Sequence, residues 1–199
     1  MKNNLILNQG YKAILIALIL SILVGLIISD TLGDIGLLIT LFLVFIYRNP
    51  YRHVYENTTS VLSPVDGTVT AIDNVDGKQK IYIKVNLCNT HVVRAPITGE
   101  FKIKNKQNGL NLNPNSYKAS LLNAQTTLKF KNEQLSIKFL SGMCNSKIDL
   151  KNGSNVSQGE ELGLFLDGNV IISTKHDNDL SIKIGDKLKS AQTILFKKV

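Results

Sequence analysis

At 199 residues the chain is long enough for one domain with a substantial core plus an appendage. Its formal charge of +8 directs attention to acidic partners. Two cysteines, Cys88 and Cys144, with no Cys-x-x-Cys or Cys/His cluster beside them, exclude a disulfide scaffold and a structural metal site, and each is expected as a free buried thiol in a reducing compartment.

The first elements are apolar. Ala13 to Ser29 carries no charged residue over 17 positions, and Ile35 to Tyr47 none over 13. At about 1.5 Å per helical residue the first run reaches roughly 25 Å, close to the thickness of a bilayer's hydrocarbon layer. A signal peptide would also begin with lysines such as Lys2 and Lys12, but no small-residue cleavage site follows, and a second apolar run starts after only five residues. The pattern predicts a membrane-anchoring helical hairpin over residues 1–47, turning at Asp30 to Asp34. Basic residues flank both outer ends (Lys2, Lys12, Arg48, Arg52), and acids alone sit in the turn. The positive-inside rule then puts the remainder, 48–199, on the cytoplasmic side of the cell's inner membrane.

The charge lies in that remainder: from Arg48 onward there are 21 Lys+Arg and 13 Asp+Glu. Anionic lipid headgroups are the natural partner of a basic domain on a membrane tether. Nucleic acid is not expected, because the lysines are scattered through alternating segments with no basic helix or aromatic strand pair.

From Leu62 onward short β-type runs alternate with turn signals. VTAID (69–73), IYIKVNL (81–87), THVVRA (90–95), TLKFK (127–131), LSIKFL (135–140), NVIIST (169–174) and LSIKI (180–184) read as strands. Asp66-Gly67, Asp76-Gly77 and Asp167-Gly168 read as hairpin turns, and Ser116 to Ala124 gives the best helical signal. The predicted class is mainly β (α+β), an antiparallel β domain behind a transmembrane hairpin. Gly153 to Leu162 also matches Gly185 to Ile194 position by position in turn and apolar residues. This half-repeat pattern resembles the barrel-sandwich of biotinyl and lipoyl carrier domains. The carrier lysine is missing from the intervening Asp167-Gly168-Asn169, so the repeat speaks for fold and not for a swinging arm.

Three separated motifs carry a more specific resemblance. Phe45-Ile46-Tyr47-Arg48-Asn49-Pro50-Tyr51-Arg52 closes the anchor, Ser63-Pro64-Val65-Asp66-Gly67-Thr68-Val69 opens the domain, and Asn89-Thr90-His91-Val92-Val93-Arg94-Ala95-Pro96-Ile97-Thr98-Gly99 follows. With Asn132-Glu133, the apolar stretch Ile137 to Ile148 and the run Gly153 to Leu164, they resemble the short, membrane-anchored class of the phosphatidylserine decarboxylase family. The resemblance implies phospholipid biosynthesis and a pyruvoyl-dependent carboxy-lyase that converts phosphatidylserine to phosphatidylethanolamine and CO2. It implies that an aspartate, here Asp66, orients a histidine, here His91, which deprotonates a serine. The serine attacks the preceding glycine's carbonyl, and chain cleavage leaves the pyruvoyl group. Arg94 takes a position suited to a lipid phosphate or carboxylate. Each has a plain structural alternative: a turn former for Asp66, a core histidine for His91, a membrane phosphate contact for Arg94.

Counted from Gly163, the family's Gly-Ser pair falls on Gly168-Asn169. A carboxamide cannot attack the preceding carbonyl and then leave from Cβ as a hydroxyl can. Gly153-Ser154 sits in the first half-repeat's turn, and Ser173 and Thr174 fall late, without a preceding glycine. Asn89 in place of the motif aspartate and the thinned basic pair at Asn145-Ser146-Lys147 depart from the family in the same direction. A pyruvoyl group is therefore expected to be absent, and no metal is expected. Two readings stay open: a decarboxylase-related protein whose own activity is in doubt, and a non-catalytic lipid-binding or regulatory partner of an active homologue. A homo-oligomer is a further possible assembly. A third reading, an adaptor of the membrane-fusion type, rests on the half-repeats alone.

Overall fold

The computed structural model describes residues 5–54, 59–75, 77–131, 135–144, 148–151, 153, 155–175 and 179–197. Lys2, Asp76, Asn132-Glu133, Asn145 to Lys147 and Ser154, singled out above, lie outside them. The chain forms two compact units, Met1–Tyr51 and Arg52–Val199.

The first unit is a pair of helices, α1 (Asn8–Ile27) and α2 (Asp30–Ile46). The turn between them is Ile28-Ser29 and not Asp30 to Asp34. Asp30 instead occupies the first turn of α2, where a carboxylate is favoured by the helix dipole. Small residues let the backbones meet: a Cβ on Gly33 would strike the Gly25 Cα, and one on Gly36 would strike the Ser21 side chain. Ser21 and Thr40 satisfy their hydroxyls on the carbonyls of Leu18 and Gly36, at 2.8 and 2.9 Å, so neither leaves a polar group open to lipid. Most large side chains of the pair face outward, including Leu15, Ile16, Leu20, Leu38 and Leu41. α1 is long and apolar enough to cross a membrane. At the end of α2, Arg48 stacks over the Phe45 ring at 3.8 Å.

The second unit is antiparallel β. Its strands are β1 (Ser60–Leu62), β2 (Gly67–Val75), β3 (Lys78–Val85), β4 (Val92–Arg94), β5 (Gly99–Gln107), β6 (Gln125–Phe130) and β7 (Ser136–Ser141). They continue with β8 (Asp149–Leu150), β9 (Asn155–Val156), β10 (Glu161–Leu164), β11 (Gly168–Lys175), β12 (Lys187–Leu188) and β13 (Ile194–Lys197). The large sheet has the order β12-β2-β3-β11-β7-β6-β5-β9, and smaller sheets pair β1 with β13 and run β4-β10-β8. Alternation decides the faces: Ile81, Ile83, Val170, Ile172, Ile137 and Phe139 turn into the common core, and their strand neighbours turn out. No barrel closes. The helical signal shrinks to α3 (Ala119–Leu122).

Three expectations need correction. LSIKI (180–184) is not a strand; only Leu180 bridges to Phe196, because the Asp186 carboxylate captures the Lys183 N–H at 2.8 Å and turns the chain. Cys88 and Cys144 are free, but both are exposed, in the segments that follow β3 and β7. Of the turn pairs within the described residues, Asp167-Gly168 is a bend into β11 and Gly67 opens β2.

The half-repeat is present in three dimensions and reaches further than the sequence match. β9 lies on the start of β5 (Gly99↔Val156, Glu100↔Asn155) as β12 lies on the start of β2 (Leu188↔Gly67, Lys187↔Thr68). Gly159 N–H donates to Ala95 O, and Ala191 N–H to Ser63 O, both at 2.8 Å. Both donors adopt positive φ, 82° and 59°. The duplicated unit is thus the Pro-x-x-Gly stretch at 64–67 with its partner at 187–191, repeated by 96–99 with 155–159.

Candidate functional site

Asp66, His91 and Arg94 are all buried. Asp66 precedes β2, and its carboxylate is held on both oxygens. Oδ1 accepts the Ser190 N–H at 2.7 Å and Oδ2 accepts Arg52 Nη2 at 2.8 Å. Arg52 also donates from Nη1 to Gln192 Oε1 at 3.0 Å. Arg94, at the end of β4, donates from Nη1 to Gly159 O at 3.1 Å, and its Nη2 lies 3.7 Å from Glu161 Oε1. Burial pushes the Arg94 guanidinium below its ordinary value; Glu161 and Asp66 oppose this, and the nearby Arg52 charge adds to it. Two guanidiniums and two carboxylates therefore form one charge-balanced group, with Asp66 and Arg94 buried and Arg52 and Glu161 half-buried.

His91 precedes β4. Its carbonyl accepts the Phe165 N–H at 2.9 Å, which ties it to the segment joining β10 to β11. Its side chain is close enough to Asp167 for its charge to lower that carboxyl's affinity for a proton. Burial has the larger effect and pushes the Asp167 carboxyl up, although the N–H groups of Cys144 and Met143 oppose it. The Cys144 bond measures 3.0 Å, and the Gly142 N–H adds a 3.0 Å bond to Asp167 O.

The next two residues are Gly168 and Asn169. Gly168 has φ +130°, and a Cβ there would run into Leu140 O, so the close approach of β7 requires glycine. Asn169 does not sit at a hairpin tip. It is the second residue of a central strand, paired with Lys84 on one side and Leu140 on the other. The structure thus brings His91 near Asp167, directly before Gly168-Asn169, and brings Asp66 together with Arg52, Arg94 and Glu161. The two bonds described for Asp66 run to Ser190 and Arg52. Sequence reasoning passed over Asp167, read as a turn, and Glu161. The one signal available for Asp167 was an acid directly after the apolar run Leu162 to Leu166.

Chemically, this part of the site offers an imidazole and a carboxyl whose proton affinity burial raises, beside the bond between Gly168 and Asn169. Among the described residues no group of three or more His, Cys, Asp or Glu side chains could hold a metal ion.

Comparison with known proteins gives the same family from the whole chain. The phosphatidylserine decarboxylase family model matches residues 39–196. A phosphatidylserine decarboxylase proenzyme of Pelagibacter ubique is 28% identical over 96% of this chain and 95% of its own length. Those of Ehrlichia chaffeensis and Geotalea uraniireducens are 29% and 27% identical, over 94% and 98% of this chain and 89% and 97% of theirs. No solved structure matches. The chain belongs to the phosphatidylserine decarboxylase family.

The family resemblance puts the source of a pyruvoyl group at position 169. The side chain there is a carboxamide, and the residues present do not fit the group.

Proposed function

We propose that this protein is a membrane-anchored member of the family that stays a single, uncleaved chain. In this reading it serves phospholipid metabolism by binding anionic phospholipid and by associating with an active homologue, on the cytoplasmic side of the inner membrane. One observation carries the reading: Asn169 stands directly after Gly168, at the bond where cleavage would have to occur. Cleavage by attack on the Gly168 carbonyl needs a hydroxyl or thiol on the following residue, and asparagine has neither. The apolar α1 supports the anchoring, and the basic flanks of the hairpin support the cytoplasmic placement.

The test is the intact mass of the detergent-purified protein together with denaturing electrophoresis. A single species of 22.0 kDa is the expected result. Two species, the smaller beginning at position 169 with a blocked, carbonyl-reactive terminus, would overturn the reading and make the protein a decarboxylase.

A further inference from the structure

Cross-strand register sets lysines in rows on the outward face of the large sheet. One row runs Asp73, Lys80, Ser173, Ser136, Lys129 and Lys102 across six strands. In the next, Lys138 stands between Ile171 and Thr127, and in the third Lys84 stands beside Asn169. Against these five lysines the rows hold one carboxylate, Asp73. Glu100, on the neighbouring stretch of β5, is shared between Lys102 and Lys131 at 3.6 and 3.1 Å.

One edge of this face is apolar. The segment between β5 and β6 is fastened there: Gln125 Nε2 donates to Ser120 O at 2.9 Å, and Asn123 Nδ2 to Ser141 O at 2.7 Å. It leaves Tyr117 84%, Leu121 60% and Leu110 55% exposed, and Met143, just past β7, is 60% exposed. Exposed leucine, tyrosine and methionine beside a field of lysines give the two halves of an interfacial membrane contact, headgroup attraction and shallow insertion.

We propose that this face docks on a bilayer carrying anionic headgroups, with Tyr117 and Leu121 entering the interface. The inference deepens the proposed function and rests on its membrane-anchoring half, not on the absence of cleavage. A bilayer is favoured over a nucleic acid because the apolar edge has no use on a polyanion. A chain tethered through α1 would also hold the face at high effective concentration near lipid, so that weak attractions to the lysines suffice.

The full-length chain has no tryptophan, so Tyr117→Trp supplies a sole reporter. The variant is reconstituted in vesicles of phosphatidylcholine alone and of phosphatidylcholine mixed with phosphatidylglycerol, and flotation is checked for both. The expected result is co-flotation with both vesicles. In the anionic mixture alone the emission shifts to the blue and brominated acyl chains quench it; both effects are lost in high salt and in Lys80→Glu/Lys129→Glu/Lys138→Glu, whose circular dichroism matches its parent. Flotation with both but identical emission overturns the docking face and leaves the anchor standing. Failure to float overturns the anchoring on which both rest. Emission that responds to polyuridylate and not to anionic lipid overturns the bilayer in favour of a nucleic acid.

Discussion

The Ser190 N–H donates to Asp66 Oδ1 at 2.7 Å, and the same bond recurs between the Gln158 N–H and Thr98 Oγ1 at 3.0 Å. Thr98 stands as far along the chain from Asp66 as Ser190 does from Gln158. The bond is therefore a part of the duplicated architecture, filled once by a hydroxyl and once by a carboxylate. What Asp66 adds is charge, and with it Arg52.

Substitutions at the two related positions should separate these contributions. Thr98→Val removes the acceptor of a partly buried N–H, for a loss of about 0.5–1.5 kcal/mol. Asp66→Ala does the same to Ser190 and also removes the carboxylate from half-buried Arg52, leaving it Gln192, for a larger loss of about 2–4 kcal/mol. Asp66→Asn keeps the acceptor and should fall between them. Urea unfolding of the full chain in detergent, followed by circular dichroism, measures all three.

Gly168→Ala should be severe. Its positive φ and the Leu140 carbonyl both exclude a Cβ, in a strand paired on both sides. A loss above ~2 kcal/mol is expected from strain and displaced pairing. Gly77→Ala, also at positive φ but with open space around it, should cost less on the same urea assay.

The pH response of Asp167 has a sign opposite to that of an ion-paired carboxylate. Its folded value is raised, so ionisation at neutral pH weakens the fold, and that penalty disappears as pH falls through the raised value. Asp167→Asn, which keeps an acceptor for the Cys144 N–H, should melt higher than the parent near neutral pH. The difference should close as the pH falls toward the ordinary carboxylate range. A gap that widens on acidification would mean that the ionised form is the one the fold favours.

Asn169→Ser supplies the hydroxyl that cleavage requires, in a chain that still holds His91 beside Asp167. Slow appearance of two chains on denaturing gels is expected, and adding His91→Ala should suppress it. Cleavage indifferent to His91 would remove the histidine from the role that the family resemblance implies.

Both cysteines should react with maleimide in the folded protein, two labels per chain, since both are exposed. Labelling of Cys144 should also shift the pH response of Asp167, whose carboxylate accepts that residue's N–H.

Legibility in the sequence followed the physics of each element. β3, β6, β7 and β11 alternate apolar residues with polar ones, and that period was readable. β5 escaped because its outward positions are lysines and only Phe101 and Ile103 mark its inner face. The strands of two to four residues, such as β8, β9 and β12, are too short for any period to register. Asp66, His91 and Arg94 were singled out through the resemblance of their motifs to a family, but the partners described for Asp66 and Arg94 were not foreseen. The Asp66–Ser190 bond joins residues 124 positions apart, and nothing local in either stretch foretells it. Arg52 was legible as a basic flank of the membrane segment, whereas its part in the charge group depends on the fold.

The placement of β11 has a consequence for any nick at the bond between positions 168 and 169. Downstream of that bond lie β11, β12 and β13, and these pair with β3 and β7, with β2, and with β1. A severed chain would stay clasped by four ladders of hydrogen bonds and by the core side chains Val170, Ile172, Leu188 and Leu195. Whole and severed molecules would then share one hydrodynamic size and one spectrum, and only solvents that melt the sheet would tell them apart.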